Sequence, residues 1–233
     1  MIRTMLLFLF DHETVALMRW DVHLMRIRFV NFLSRGRARL RARVAGVPAP
    51  VFLNLGSGPR GRLDQHWINI DAVRYPGVEY LVDFNRTLPF RDDTFDGIFC
   101  EHVLEHFSLE QGKRLLADCF RILKPSGTLR LIVPDGGILV EWCLHRPDEL
   151  VARRPGSFAS AMESLNSYFR QRYEHKMIYD EKLLKLVLEY VRFDGVVLTR
   201  FRIGAVKELS TMDDDKYREE SLYVEAMKPA HRE

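Results

Sequence analysis

Asp71, Asp83, Glu101 and Asp135 each follow a short apolar run, and His102 and His106 stand just past the third of those runs. An ionised carboxylate accepts two hydrogen bonds side by side, which suits the paired hydroxyls of a ribose. An imidazole near neutral pH can take the proton of an attacking hydroxyl. Ahead of these residues, Gly56-Ser57-Gly58 follows the run Val51–Leu55, where the chain must turn and leave room for something to approach its backbone. Each feature alone has a plainer use: the glycines suit a bare turn, and Asp71 or Asp83 suits a loop cap.

Two short patterns compete for these residues. Gly56, Gly58 and Gly61 satisfy G-x-G-x-x-G, but that fingerprint wants a helix opening on its last glycine and an acid roughly 20 residues further on. Asp71 comes ten positions after Gly61, and Pro59 interrupts the stretch. A ribose belongs equally to a dinucleotide and to S-adenosylmethionine (SAM), so the glycines do not choose between them. His102-Val103-Leu104-Glu105-His106 fits H-x-x-E-H, a zinc peptidase signature. It follows a short strand instead of lying within a long helix, and the expectation is that no metal is bound.

The positioning elements come from the apolar patterning. Val51–Leu55, Trp67–Ile70, Val78–Asp83, Phe95–Cys100 and Leu129–Val133 read as buried parallel strands, and ligands of open α/β sheets sit beyond the carboxyl ends of such strands. The connections after the first two strands are too short for full crossover helices. Ser108 and Gln111 form a capping box for a helix from Leu109 to about Leu123, which Lys124-Pro125-Ser126-Gly127 stops. Ile138–His145 reads as helical. Residues 146–180 form a polar, aromatic insertion over the site, with a helix around Phe158–Arg172 and too few apolar residues for its own core. Asp180 N-caps a helix through Phe193, and Val196–Arg202 and Ser221–Met227 are the last strands.

In order, LNLGSG, NID, VDFNRTLPFRDDTFDGIFCEHVLEH and RILKPSGTLRLIVPD cover about Val51–Asp135, and together they resemble the class I SAM-dependent methyltransferases, type 11 in particular. Asn54 stands where that family often has an acid, and Arg60 where it has a third glycine. The resemblance implies an α/β, Rossmann-like seven-stranded sheet, mostly parallel with an antiparallel terminal strand, and SAM as cofactor. It implies that the loop of Asn54, Gly56, Ser57 and Gly58 approaches the methionine part and that Asp71 takes the ribose hydroxyls. Asp83 and the Phe84 backbone would address the adenine, and Glu101 the sulfonium and amino-acid end. His102, Asp135 and His106, at or just after strand ends, are the candidate bases. His175 and Tyr179 could close over the site from the insertion, although His106 and His175 suit capping or surface roles as well. HKMIYD and REESLYVEAMKP resemble bacterial methyltransferases of surface-polysaccharide assembly, which implies a sugar or glycan hydroxyl as acceptor. The N/D-P-P-Y/F block of amino-directed nucleic-acid methyltransferases is missing after the fourth strand, so no DNA partner is expected. The rival classes are a non-catalytic binding module and an NAD(P)-dependent oxidoreductase.

With 47% hydrophobic residues among 233, the chain can bury one sizeable core plus appendages. No window approaches the roughly 18 apolar residues of a membrane span. Met1–Phe10 is too short in its apolar run for a signal peptide and is expected to be retained. Cys100, Cys119 and Cys143 read as free thiols in a reducing, cytoplasmic setting. The formal charge of +3 conceals an asymmetry, because residues 1–50 hold nine Arg against Asp11, Glu13 and Asp21. That segment reads as a basic helical arm, with an amphipathic helix over Val15–Leu33, ahead of a catalytic domain at 51–233. The alternating Arg35, Arg37, Arg39, Arg41 and Arg43 could bring the arm to an anionic membrane face, apart from the cofactor site. The plainer reading is an arm that covers the core with its Leu and Phe residues.

Overall fold

The structure is a computed structural model that describes residues 11–33, 36–61, 64–153, 158–171 and 174–230. Met1–Phe10 and Arg35 lie outside the described residues. Helices α1 (His12–Leu33) and α2 (Gly36–Ala45) precede strands β1 (Phe52–Leu55), β2 (Trp67–Asp71), β3 (Tyr80–Leu81) and β4 (Phe95–Glu101). A 3₁₀ turn at Leu104–His106 leads to α3 (Leu109–Ile122) and β5 (Leu123–Pro134). Then come α4 (Gly136–His145), α5 (Pro147–Arg153), α6 (Ala161–Arg170), α7 (Glu181–Tyr190), β6 (Asp194–Leu198), α8 (Lys207–Ser210), a 3₁₀ turn at Asp215–Tyr217, and β7 (Ser221–Met227).

The sheet has seven strands in the order β3-β2-β1-β4-β5-β7-β6. β1 lies inside the sheet beside the central strand β4, parallel to β2 through Leu53↔Ile68 and to β4 through Leu53↔Ile98. β7 runs antiparallel to both β5 and β6, so the expected mostly parallel α/β sheet with an antiparallel terminal strand is what the chain forms. Chain order reverses between β1 and β4, which opens a crevice at their carboxyl ends. β3 is shorter than expected: only Tyr80 and Leu81 pair, opposite Ile70 and Asp71, before the chain leaves the edge.

Among the described residues no helix falls between β1 and β4. The face that crossover helices would cover is filled from the N-terminus instead. Leu24, Ile27 and Leu40 of α1 and α2 join the main core with Ile68, Ile70 and Val82. α1 is less amphipathic than its spacing suggested. Leu24 and Ile27 are buried, while Leu17, Trp20 and Phe32 are exposed. On the other half of the sheet the helices follow their strands directly. The capping box at Ser108 and Gln111 starts α3, and Phe120 of α3 meets Phe193, just after α7, edge to face at 5.3 Å. None of the helices among the described residues is long and apolar enough to cross a membrane. The three cysteines are free.

The insertion corrects an expectation. It has a small core of its own, in which Leu139 and Trp142 of α4 pack with Leu150 of α5 and Leu165 and Tyr168 of α6. Two of those five residues come from α4, which precedes the insertion, so composition over 146–180 alone undercounts it.

Candidate active site

At the end of β1 the chain turns on Gly56 (φ 72°), and the N–H groups of Gly56 and Ser57 both donate to the Ile70 carbonyl, at 2.9 and 3.1 Å. A Cβ on Gly56 would stand 2.2 Å from Val103 Cγ2, so packing as well as φ requires glycine there. Gly58 donates its N–H to Asp71 Oδ2 at 2.7 Å, and Asp71 Oδ1 accepts from the Val73 N–H at 2.7 Å. Asp71 thus ties the glycine loop to the turn after β2 and keeps a further lone pair on each oxygen. Asn54 is buried and donates to Asn69 Oδ1 at 3.1 Å, an amide pair that two carboxylates could not make. Beside this loop lies a cavity of about 280 Å³, lined by Asn54, Gly56, Ser57, Arg60, Glu101 and Met212 among others. Ser57 Oγ is buried there without a protein partner.

Arg60 is the most informative departure from the family pattern. Its guanidinium pairs with Glu101 and, at 3.2 Å, with Asp214, whose own N–H donates to Glu101 Oε1 at 3.0 Å. The loop that carries Asp214 is held from below by Arg130. That fully buried guanidinium on β5 pairs with Asp213 at 2.5 Å and Glu225 at 3.0 Å, and donates to the carbonyls of Arg200 and Ile203. Sequence reasoning passed over Arg130. The signal was available: a cation between Leu129 and Leu131, in a strand buried on both faces, demands acidic partners.

At the other end of the crevice, Asp83 caps its own turn by accepting from the Asn85 N–H at 3.0 Å, and Arg28 of α1 donates to it at 2.6 Å. His23 Nε2 lies 2.8 Å from the Ala72 carbonyl, and Asn31 donates to the Leu81 carbonyl at 2.8 Å. Phe84 is buried beside them. Helix α1 of the arm therefore touches this end of the crevice through Arg28, a contact outside the Arg35–Arg43 run. α2 also spreads the alternating arginines around its axis, because alternate positions on a helix face different ways. Arg39 and Arg43, four apart, return to one side. With His23, Arg26 and Arg74 they line a groove of about 640 Å³ between the two helices and the β3 edge.

The candidate bases separate. His102 adopts φ 53°, a left-handed conformation uncommon for a side-chain-bearing residue. Its Nδ1 stands 3.1 Å from Glu105 Oε1 and its Nε2 3.0 Å from Ser221 Oγ, with the ring stacked on Tyr217 at 3.8 Å. The carboxylate places the ring proton on Nδ1 and leaves the Nε2 lone pair toward the hydroxyl. Burial works to raise the Glu105 pKa, but the adjacent His102 imidazole and the two beyond it more than offset this and hold the carboxyl below its ordinary value. Asp135 is spent on structure: its Oδ1 accepts from Gly137 and Ile138 as the N-cap of α4. Burial raises its pKa against those two bonds. His106 turns to the insertion, with Nδ1 3.2 Å from the Glu174 carbonyl and its ring against His175. His175 and Tyr179 are buried beside Glu105, not poised over the cavity.

Residues 63–131 match the family model described as a methyltransferase domain. A probable tRNA methyltransferase 9B of Homo sapiens is 38% identical over 140 residues, covering 53% of this chain and 31% of that protein. A demethylmenaquinone methyltransferase of Tropheryma whipplei (strain Twist) is 28% identical over 131 residues, covering 52% of this chain and 50% of the relative. The chain thus spans about a third of the first of these relatives and half of the second. Among solved structures, the Burkholderia thailandensis 1,6-didemethyltoxoflavin-N1-methyltransferase with bound S-adenosylhomocysteine superposes with a TM-score of 0.50 at 19% identity, over 94% of this chain and 91% of the other. A Haemonchus contortus phosphoethanolamine N-methyltransferase 2 in complex with SAM gives 0.50 at 15% identity, over 81% and 52%. The fold is that of the class I SAM-dependent methyltransferases.

Proposed function

We propose that this chain, built on the class I methyltransferase fold, binds SAM in the crevice between β1 and β4 and transfers its methyl group to a sugar or glycan hydroxyl. One observation carries the cofactor assignment: Ser57 Oγ is buried in the cavity without a protein partner, on a glycine loop tied to Asp71. A buried hydroxyl left unpaired is costly, and a polar ligand at this position relieves it. Asn54, Gly56, Ser57 and Gly58 would hold the methionine part, and Asp71 the ribose through its remaining lone pairs. Asp83 and Phe84 would meet the adenine, and Glu101 the amino-acid end, sharing its charge between Arg60 and the ligand.

SAM supplies a methyl carbon already activated by positively charged sulfur, so the protein's share is positioning and the exclusion of water. His102 is the group suited to proton removal. Its Nε2, held by Ser221 Oγ at 3.0 Å, would take the acceptor's proton once that hydroxyl gives way to the acceptor, and Glu105 would stabilise the imidazolium at Nδ1. Asp135 is committed to structure through Oδ1, which caps α4.

Calorimetry decides the cofactor. SAM and S-adenosylhomocysteine should bind and NAD(P) should not, and Asp71→Ala should weaken SAM by about 1.5–3 kcal/mol, the scale of hydrogen bonds to a charged group. Saturable NAD binding without SAM would move the chain to the oxidoreductases, and SAM binding with no turnover on any acceptor to the binding modules. The groove of His23, Arg26, Arg39, Arg43 and Arg74 favours a second acceptor, an RNA, in line with the similarity to the tRNA methyltransferase relatives. It is also where an anionic surface would meet the arm. Radiolabelled methyl transfer to oligosaccharides or to total tRNA separates the two acceptors.

A further inference from the structure

We infer that Glu105, His106 and His175 form a binding site for a divalent transition-metal ion of the zinc class, separate from the cofactor crevice. None of the three lines the cavity beside the glycine loop. The 3₁₀ turn after β4 supplies Glu105 and His106, and the end of the insertion supplies His175. One donor atom from each lies within 4.8 Å of the others.

Three features beyond proximity support a metal. The Glu105 side chain is fully buried; among the described residues Oε1 has only the His102 ring nitrogen, at 3.1 Å, and Oε2 has no hydrogen-bond partner. Among the described residues its ion-pair partners are imidazoles, of His102 and His175, and no Lys or Arg reaches it. A buried carboxylate needs a compensating cation, and this one is surrounded by ligand-type nitrogens. Second, His175 Nδ1 is 2.7 Å from the Tyr168 carbonyl, which fixes the proton on Nδ1 and leaves the Nε2 lone pair 4.0 Å from Glu105 Oε1. His106 Nδ1 makes the equivalent contact with the Glu174 carbonyl. A carbonyl on the far nitrogen is how metal-binding histidines are oriented. Third, two imidazoles and one carboxylate are a zinc donor set that leaves a coordination position open, and His106 is partly exposed, which gives the ion a way in.

The expectation of no metal came from testing H-x-x-E-H as a helical peptidase motif. The folded chain uses a different trio: His102 is engaged with Ser221, and His175, 70 residues beyond Glu105, takes its place. This inference does not rest on the methyltransferase assignment.

The test is zinc binding by the full chain. Protein dialysed into metal-free buffer would be titrated with zinc in competition with a chromophoric chelator, and its thermal unfolding followed with and without zinc. One zinc per chain and a raised unfolding temperature are expected. Glu105→Gln keeps the side chain's shape, and His106→Gln alters a partly exposed residue, so at least one should fold, as circular dichroism would show. Each should weaken zinc by about tenfold or more. Absence of stoichiometric zinc in the wild-type chain would overturn the site. So would wild-type zinc affinity in a folded Glu105→Gln or His106→Gln variant.

Discussion

Glu101 and Glu105 stand four residues apart, both buried, and are neutralised by opposite means. Glu101 faces the guanidinium of Arg60 and a backbone N–H from Asp214. A guanidinium does not lose its proton in a protein, so that charge balance is fixed. Among the described residues, the ion-pair partners of Glu105 are imidazoles, a kind of group whose charge depends on what it binds. The chain thus keeps a permanent electrostatic frame at the proposed cofactor crevice, and an adjustable one beside the proposed base. The two regions should therefore fail differently when altered.

The largest expected effect lies on the Glu105 side. His102→Ala should lower turnover by about 10²–10⁴-fold, the usual worth of general-base help, with SAM affinity nearly intact. Equal losses in turnover and affinity would merge the two regions into one. On the Glu101 side the largest effect is on stability. Arg130→Met strands Asp213 and Glu225 beneath the loop that carries Asp214, and unfolding by urea should reveal a loss of about 3–5 kcal/mol. Adding Asp213→Asn should return part of it, because one buried charge is then gone; no recovery would mean that the network contributes little.

The smallest effect concerns a third carboxylate, Asp135, whose charge is met by backbone N–H groups. Its pKa is raised on folding, chiefly by burial. The folded chain therefore holds this proton more tightly than the unfolded one, and the stability gained is present at low pH and lost as pH rises through the folded value. Asn also caps helices, so Asp135→Asn should change stability at pH 7 by less than about 1 kcal/mol. It should also remove that part of the decline through the carboxylate range. A large loss at pH 7 would show that the cap needs the charge.

The crevice was legible because its parts are local. A buried strand runs directly into a glycine turn in LNLGSG, and another runs directly into an acid in NID. The capping box at Ser108 is of the same kind. What escaped depends on chain segments that meet only after folding. Arg28 reaches Asp83 over 55 residues and Arg130 reaches Asp213 over 83. His106 was placed on the correct strand end, yet its direction was set by the insertion, whose path no periodicity encodes. The insertion's core was missed because its apolar residues are divided between α4 and the helices that follow.

The docking of α1 on the β2–β3 edge also fixes an order of events in synthesis. Its hydrogen bonds to the sheet span 49, 55 and 50 residues, so α1 leaves the ribosome well before the strands that seat it. Until then Leu24 and Ile27 have no buried face to join, and the nascent segment is a natural client for a chaperone or for a neighbouring chain. Closing so long a loop is entropically expensive and is rewarded only once β2 and β3 are in register. Helices α1 and α2 should therefore be the last unit to assemble and the first to detach, leaving a sheet whose other half carries its own helices.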